Sequence, residues 1–269
     1  MKLTWLGTAS LLIEAGEWVP DPYGKKNPDR AALAFDPFLG IPFTDEQKKR
    51  TLFSTADAVF VTHGHFDHEH HVEQIYRGMP KPVYCTITPA VRLGRDGYPK
   101  EKINVISPGW EEQFGPLRVR ASQSRHCVFD QAFIRERAFS FRTYREIKKL
   151  AHLASLHRRC QENGETLMYE LESEGKRIQI LGSLGLDEAT AYTPGADVLI
   201  MAFQGRSDLE EAALPIVERL KPQRILLDHW DDSFPPFTEN VETADFVQLM
   251  TEIYKIPTEA LKLYEAIEL

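Results

Sequence analysis

Ala58-Val-Phe-Val-Thr-His-Gly-His-Phe-Asp-His-Glu-His-His71 passes within a few residues from an apolar strand to a cluster of metal-binding side chains. Val59, Phe60, Val61 and Thr62 read as a short buried strand, because β-branched and aromatic side chains fit a pleated surface covered on both faces. The strand then delivers His63, His65, Asp67 and His68, and Gly64 allows a tight backbone path between the first two histidines. Neutral imidazole nitrogens and a carboxylate oxygen are the ligands that borderline-soft zinc prefers, and three imidazoles plus a carboxylate this close cannot all point at one ion. The spacing suggests two metal positions.

With 269 residues, 42% hydrophobic and 27% charged, the chain can bury a sizeable core. No tandem repeat, low-complexity tract or linker divides it, so residues 1–269 read as a single domain. The formal net charge of −8 argues against nucleic acid or an anionic membrane as partner, since such surfaces depend on accumulated Lys and Arg. No apolar run approaches the length that spans a bilayer. The stretch Met1–Glu14, broken by Thr, Gly and Ser, makes a poor signal peptide. Cys85, Cys127 and Cys160 are odd in number and never form a Cys-x-x-Cys pair, which fits reduced thiols and a cytoplasmic location. Cys127 reads as a packed small hydrophobe.

Further strands are expected at residues 2–14 (a pair around Gly7), 31–35, 83–86, 103–106, 117–121, 166–171, 177–181, 198–202 and 224–227, with Glu174-Gly175 as a hairpin turn. Pro20 to Arg30 reads as a surface loop. A helix follows Asp67, with Val72, Ile75 and Tyr76 at helical spacing; His70 and His71 lie in its first turn as exposed non-ligands. A second helix spans Glu210 to Leu220, capped by Ser207-Asp208 and stopped by Pro222. Residues 239–269 read as a closing helix and a short terminal strand. His126 and His229 each follow a strand, where α/β proteins place their chemistry; both are candidate ligands, His126 because closing a tetrahedral site requires a third donor. Residues 139–160 depart from this rhythm. Phe141, Tyr144, Ile147, Leu150, Ala151 and Ala154 form one helical stripe, and Arg142, Arg145, Lys148, Lys149, Arg158 and Arg159 make the segment basic. It reads as an inserted helix, either an ordinary surface element, or a lid or oligomer contact that brings positive charge to an anionic substrate.

Trp5-Leu-Gly-Thr, Phe35-Asp-Pro-Phe, Thr62-His-Gly-His-Phe-Asp-His68, His126, Leu181-Gly-Ser183 and Asp228-His229 occur in that order. In these the chain resembles the metallo-β-lactamase fold superfamily of metal-dependent hydrolases over nearly its whole length. Gly7-Thr-Ala-Ser10, the Asp-Pro-Phe turn and Leu220-Lys-Pro look most like the branch that contains ascorbate-6-phosphate lactonase. The resemblance implies an αββα sandwich, two mixed sheets with helices outside and two metals at one edge. It assigns His63, His65 and His126 to the first metal and Asp67, His68 and His229 to the second. The departure is Ser183, where most such hydrolases carry a bridging Asp. Three readings follow. Two zincs are held through a hydroxide alone, or Asp187 swings in as the missing carboxylate, or the second site is weak and the protein is mononuclear or inactive.

The chemistry implied is a zinc-bound hydroxide, with manganese or iron as alternative ions, attacking an ester, lactone or phosphoester of a small-molecule substrate. Asp67 orients the hydroxide, Asp36 accepts from a ligand imidazole and fixes its tautomer, and Ser183 bonds a metal-bound water. Arg206 and Trp230 are candidates for the mouth of the site. A non-catalytic metal-binding protein is the second reading, and a true β-lactamase the third.

Overall fold

Alternating apolar side chains sort the strands into two facing sheets, each with one side turned to its partner and the other to helices. The computed structural model describes residues 1–16 and 27–269; the N-terminal part of the loop expected at 20–30 lies outside them. The first sheet contains β1 (Lys2–Trp5), β2 (Leu11–Ala15), β3 (Ala31–Phe35), β4 (Ala58–Phe60), β5 (Val83–Cys85), β6 (Ile103–Val105) and, from the end of the chain, β14 (Ala266–Glu268), in the order β14-β1-β2-β3-β4-β5-β6. The second contains β7 (Glu111–Phe114), β8 (Leu117–Gln123), β9 (Leu167–Ser173), β10 (Lys176–Leu181), β11 (Val198–Ala202), β12 (Ile225–Asp228) and β13 (Thr258–Ala260), in the order β13-β12-β11-β10-β9-β8-β7. Both are mixed. Pairing is antiparallel from β14 to β3 and from β7 to β10, and parallel from β3 to β6 and from β10 to β13.

Period-two burial shows how the layers form. Leu3, Leu11, Leu33 and Phe60 of the first sheet meet Val119, Tyr169, Ile180 and Ile200 of the second in the central core. The outer face of the first sheet, with Leu12, Ala34, Val59 and Val83, is covered by Phe53 of α1 (Glu46–Ser54), Val72 and Tyr76 of α3 (Val72–Tyr76), and Leu93 of α4 (Ile87–Arg95). The outer face of the second, with Leu199, Met201 and Leu227, packs on Ala213, Ile216 and Leu220 of α8 (Leu209–Leu220) and on Phe246 of α9 (Ala244–Gln248). This is the four-layer αββα sandwich. Among the described residues no helix is long and apolar enough to cross a membrane.

Several local expectations change. The helix after Asp67 is two short ones, α2 (Phe66–Glu69) and α3, parted at His70-His71. The inserted segment 139–160 is two, α6 (Phe141–Arg145) and α7 (Ile147–Arg159), and a further helix that the sequence reading passed over, α5 (Gln131–Ala138), precedes them. Ser140 caps α6 by accepting from Thr143 N, and the chain breaks again at Glu146. The stripe from Phe141 to Ala154 therefore does not stay in phase. Phe141, Tyr144 and Ile147 are exposed, while Leu153, Leu156 and Cys160 turn inward. Asp208 stands at the start of α8 without capping it, because Arg206 holds its carboxylate. The sequence reading passed over α1, whose run Glu46-Gln-Lys-Lys-Arg is polar, and β7, whose exposed Glu111, Glu112 and Gln113 mark a sheet edge. The end of the chain yields two strands, β13 and β14, one for each sheet.

Candidate metal centre

Because β8, β10 and β12 run in one direction, their C-terminal ends open at the same edge, and His126, Ser183 and His229 follow them there. On the facing sheet, parallel β3 and β4 end at Asp36 and lead into His63. The loops that close this edge bring six predicted side chains together in two groups, His63 with His65 and His126, and Asp67 with His68 and His229; within each group the ligand atoms lie within 4.8 Å of one another. Ring centroids are 4.9 Å apart for His63 and His65, 4.9 Å for His63 and His126, and 4.3 Å for His65 and His126. The two groups adjoin, with His63 and His68 centroids 3.9 Å apart.

Oxygen acceptors orient the rings. Asp36, in the left-handed region at φ 45°, accepts from Thr62 N at 2.7 Å, from Thr62 Oγ1 at 2.6 Å and from His68 Nδ1 at 2.8 Å. Since the Thr62 hydroxyl donates to Asp36, it is left to accept from His63 Nδ1, 3.0 Å away. His126 Nδ1 donates to the Cys127 carbonyl at 2.6 Å. With the Nδ1 protons so placed, the Nε2 lone pairs of His63, His68 and His126 are the free ones, which is how neutral imidazole binds a metal. His63 Nε2 is buried and has no partner, a cost that a bound cation would remove.

The backbone is shaped to this purpose. A Cβ on Gly182 would stand 2.5 Å from Thr62 Oγ1, so only glycine lets the end of β10 approach Thr62. Gly64, by contrast, adopts no left-handed conformation; a Cβ there would strike the Gln161 carbonyl at 2.5 Å. His229, at φ 57°, donates its backbone N–H to the Thr8 carbonyl at 2.9 Å, and Thr8 N donates to Asp231 Oδ1 at 2.8 Å. The Gly7-Thr8 turn thus braces the loop that presents the last histidine.

Burial, followed by repulsion from His68, His65 and His126, holds the His63 imidazolium well below its ordinary pKa. Burial and His126 push His65 down to about 3, and burial lowers His126. These rings stay neutral at physiological pH, the state that accepts a metal. Burial opposes charge on Asp67, but His68 and His229 outweigh it and hold the carboxyl well below its usual range. Burial likewise opposes charge on His229, yet Asp67 Oδ2, 3.1 Å from its Nε2, lifts it to about 9.

Other predicted residues fall elsewhere. Ser183 Oγ accepts from Cys127 N at 2.9 Å, so its hydroxyl steadies the loop carrying His126. Asp187 is engaged by Arg125 Nε at 3.2 Å, Thr190 Oγ1 at 2.9 Å and Ala189 N at 3.1 Å, and it is not brought to the cluster as a substitute carboxylate. Arg206 forks onto Asp208 and donates to the Val128 carbonyl, and Trp230 stacks obliquely on Trp5 at 5.3 Å; neither lines the mouth. His71 is a non-ligand as expected but is buried, not exposed: its Nδ1 accepts from Leu39 N at 3.1 Å between Phe38 and Phe43. Cys127 is buried, and burial pushes its thiol up to about 12.

A cavity of about 300 Å³ opens over the cluster, reaching His65, Asp67, His68, His126, Ser183 and His229 at its floor. Phe129, Phe133, Leu150, Leu153 and Phe237 form much of its wall, and His157 of α7 lies 5.2 Å from His65 between ring centroids. The basic residues of the insertion are not in that wall. Of these wall residues the sequence reading named only Leu150, in its helical stripe, and missed Phe129, Phe133, Leu153 and Phe237, since aromatic and leucine positions in loops and surface helices carry no motif; it also missed Thr62 as the oxygen that orders two rings.

The family model described as a β-lactamase superfamily domain matches residues 32–230. A UPF0173 metal-dependent hydrolase from Roseobacter denitrificans is 32% identical over 84 residues, 31% of this chain and 31% of that protein, so the matched segment spans under a third of the relative. Among solved structures, a metallo hydrolase from the archaeon Ignicoccus hospitalis superposes with a TM-score of 0.61 at 15% identity, covering 100% of this chain and 98% of the other. An isothiocyanate hydrolase from Delia radicum gut bacteria gives 0.59 at 16% identity, covering 100% and 99%. A metallo-β-lactamase fold protein from Bacillus subtilis gives 0.56 at 14% identity, covering 99% of each chain. At these identities the structural likeness concerns the fold.

Proposed function

Because the chain belongs to the β-lactamase superfamily, we propose that it is a metal-dependent hydrolase that uses two zinc ions to cleave an ester, lactone or phosphoester bond of a small molecule. The observation that carries this reading is the convergence of two three-residue groups on one strand-end edge, with three imidazoles already oriented by oxygen acceptors and His63 Nε2 buried without a partner. His63, His65 and His126 would hold the first cation and Asp67, His68 and His229 the second; five imidazoles and one carboxylate in place of soft thiolates suit zinc, with manganese or iron as alternatives. Cations held there would lower the pKa of water to about 7, which supplies a nucleophile at neutral pH, and would polarise the attacked oxygen.

The chain's own groups complete the arrangement. Asp36 and Thr62 hold His68 and His63 in the tautomers that face the site. Asp67, the only carboxylate of the six, accepts a hydrogen bond from the attacking water and orients it. Ser183 acts by fixing the Cys127 amide and through it the ring of His126. The exposed Phe139, Phe141, Tyr144 and Ile147 support association of copies through the 139–160 insertion. The absence of a carboxylate at Ser183 favours, as the second reading, a mononuclear or non-catalytic metal protein.

Metal analysis of the purified protein combined with assays on ester, lactone and phosphodiester substrates separates the readings, with nitrocefin as the β-lactamase probe. Two zincs per chain, and turnover that falls at least a hundredfold in His126→Ala, are expected. Tightly held metal with no turnover of any substrate would establish the non-catalytic reading, and turnover that survives His126→Ala would overturn the assignment of that residue.

A further inference from the structure

We infer that the substrate of this site is uncharged and carries an aryl or medium-length apolar acyl group, which lodges beneath helices α5–α7 while its scissile carbonyl lies at the histidine floor. This rests on the hydrolase reading above and adds the class of substrate. The wall facing the metal centre is built from Phe129, Phe133, Leu150, Leu153 and Phe237, and no Lys or Arg is among the described residues that line the cavity. The basic side chains of α7 cannot serve an anion there. Helical geometry turns Leu150, Leu153, Ala154 and His157 toward the cavity, while Lys148, Lys149, Arg158 and Arg159 occupy the exposed side. Two other cations of these helices are already engaged, Arg137 of α5 with Glu239 and Arg142 of α6 with Asp232.

Size and shape narrow the class. The volume of about 300 Å³ is about twice the ~150 Å³ that accommodates benzene in an apolar cavity, so two fused rings or a medium-length acyl chain would fill it. Phe129 lies 5.5 Å from Phe133 and 6.0 Å from Phe237 between centroids, in stacked and edge-on arrangements. These rings leave flat faces for an aromatic guest. An anionic group placed among them would lose its hydration, and no Lys or Arg among the described residues that line the cavity would replace it. The segment that the sequence suggested as an electrostatic attractor is, on its inner side, an apolar roof.

The test compares p-nitrophenyl esters with the zinc-loaded full chain, reading kcat/KM for acetyl, butyryl, hexanoyl, benzoyl and the anionic succinyl group. Expected is a rise of up to about fourfold per added methylene to hexanoyl, benzoyl at least tenfold above acetyl, and succinyl no better than acetyl. Succinyl above hexanoyl, or indifference to chain length, would overturn the inference and leave the hydrolase reading standing. Prodan, an uncharged two-ring fluorophore, gives a readout without turnover. It should bind once per chain, and Leu150→Lys, checked for unchanged metal content, should weaken it at least tenfold. If none of these esters is cleaved, prodan alone decides: failure to bind, or binding unaffected by Leu150→Lys and by a second variant at another residue lining the cavity, Ile134→Lys, refutes the apolar site and leaves the hydrolase reading to the lactone and phosphodiester assays.

Discussion

At Asp36 a single buried carboxylate collects three donors: the Thr62 amide, the Thr62 hydroxyl and His68 Nδ1. Through the Thr62 hydroxyl its influence extends to His63, so one side chain sets two rings that belong to different halves of the centre. Asp36→Ala should therefore weaken metal binding by about 10- to 100-fold, read by competition with a chromogenic chelator; unchanged affinity would show that ring orientation does not depend on this carboxylate. His71 supplies a second prediction at this scale. Burial, with repulsion from His70, pushes its pKa down to about 3, and its Nδ1 must stay unprotonated to accept from Leu39 N. The unfolded chain takes up a proton on such a ring near pH 6.5, and the folded protein resists down to about 3. Stability is therefore whole above that window and falls as the pH drops through it, by about 2 kcal/mol at pH 5 from this ring alone. Urea titrations at pH 7 and pH 5 check it, and His71→Phe should flatten the slope between them.

Elements carry the site by where they end. The turn Glu174-Gly175, both residues at positive φ, joins β9 and β10 in the register Ser173 opposite Lys176, and that register brings Gly182 and Ser183 to the working edge. Gly182 then fits only because it lacks a Cβ against Thr62. Gly182→Ala should cost about 1–3 kcal/mol of stability by overpacking and lower metal content by displacing Thr62 from His63; calorimetry with metal analysis decides, and a neutral effect would mean the two loops separate freely. The insertion shows the opposite case. Its helical periodicity was legible at 139–160, but Ser140 and Glu146 break it into pieces, so the face that meets the cavity is not the one the stripe implied.

Across the whole molecule, the two sheets meet so that strand ends from both supply one centre. A cation bound there holds together segments as far apart as His63 and His229, and binds the folded chain in preference to the unfolded one. Saturating zinc should stabilise the protein by about 4 kcal/mol at a free concentration a thousandfold above Kd. Chelation should lower Tm and zinc should restore it; a Tm indifferent to both would argue against a cation bridging the sheets.

By itself, the sequence marked most of the strands and the six candidate ligands, and the layered αββα fold came from the resemblance its motifs carry. Apolar alternation marks strands wherever burial is one-sided or complete, and histidines directly after such strands lie at their ends whatever the topology. Tertiary structure alone decided the rest. It tied Asp187 to Arg125, turned Ser183 toward the Cys127 amide, buried His71, and roofed the cavity with Phe129, Phe133 and Leu153. Those outcomes depend on which loops meet across two sheets, and a hydrogen bond or packed ring between residues tens of positions apart leaves no periodic trace along the chain.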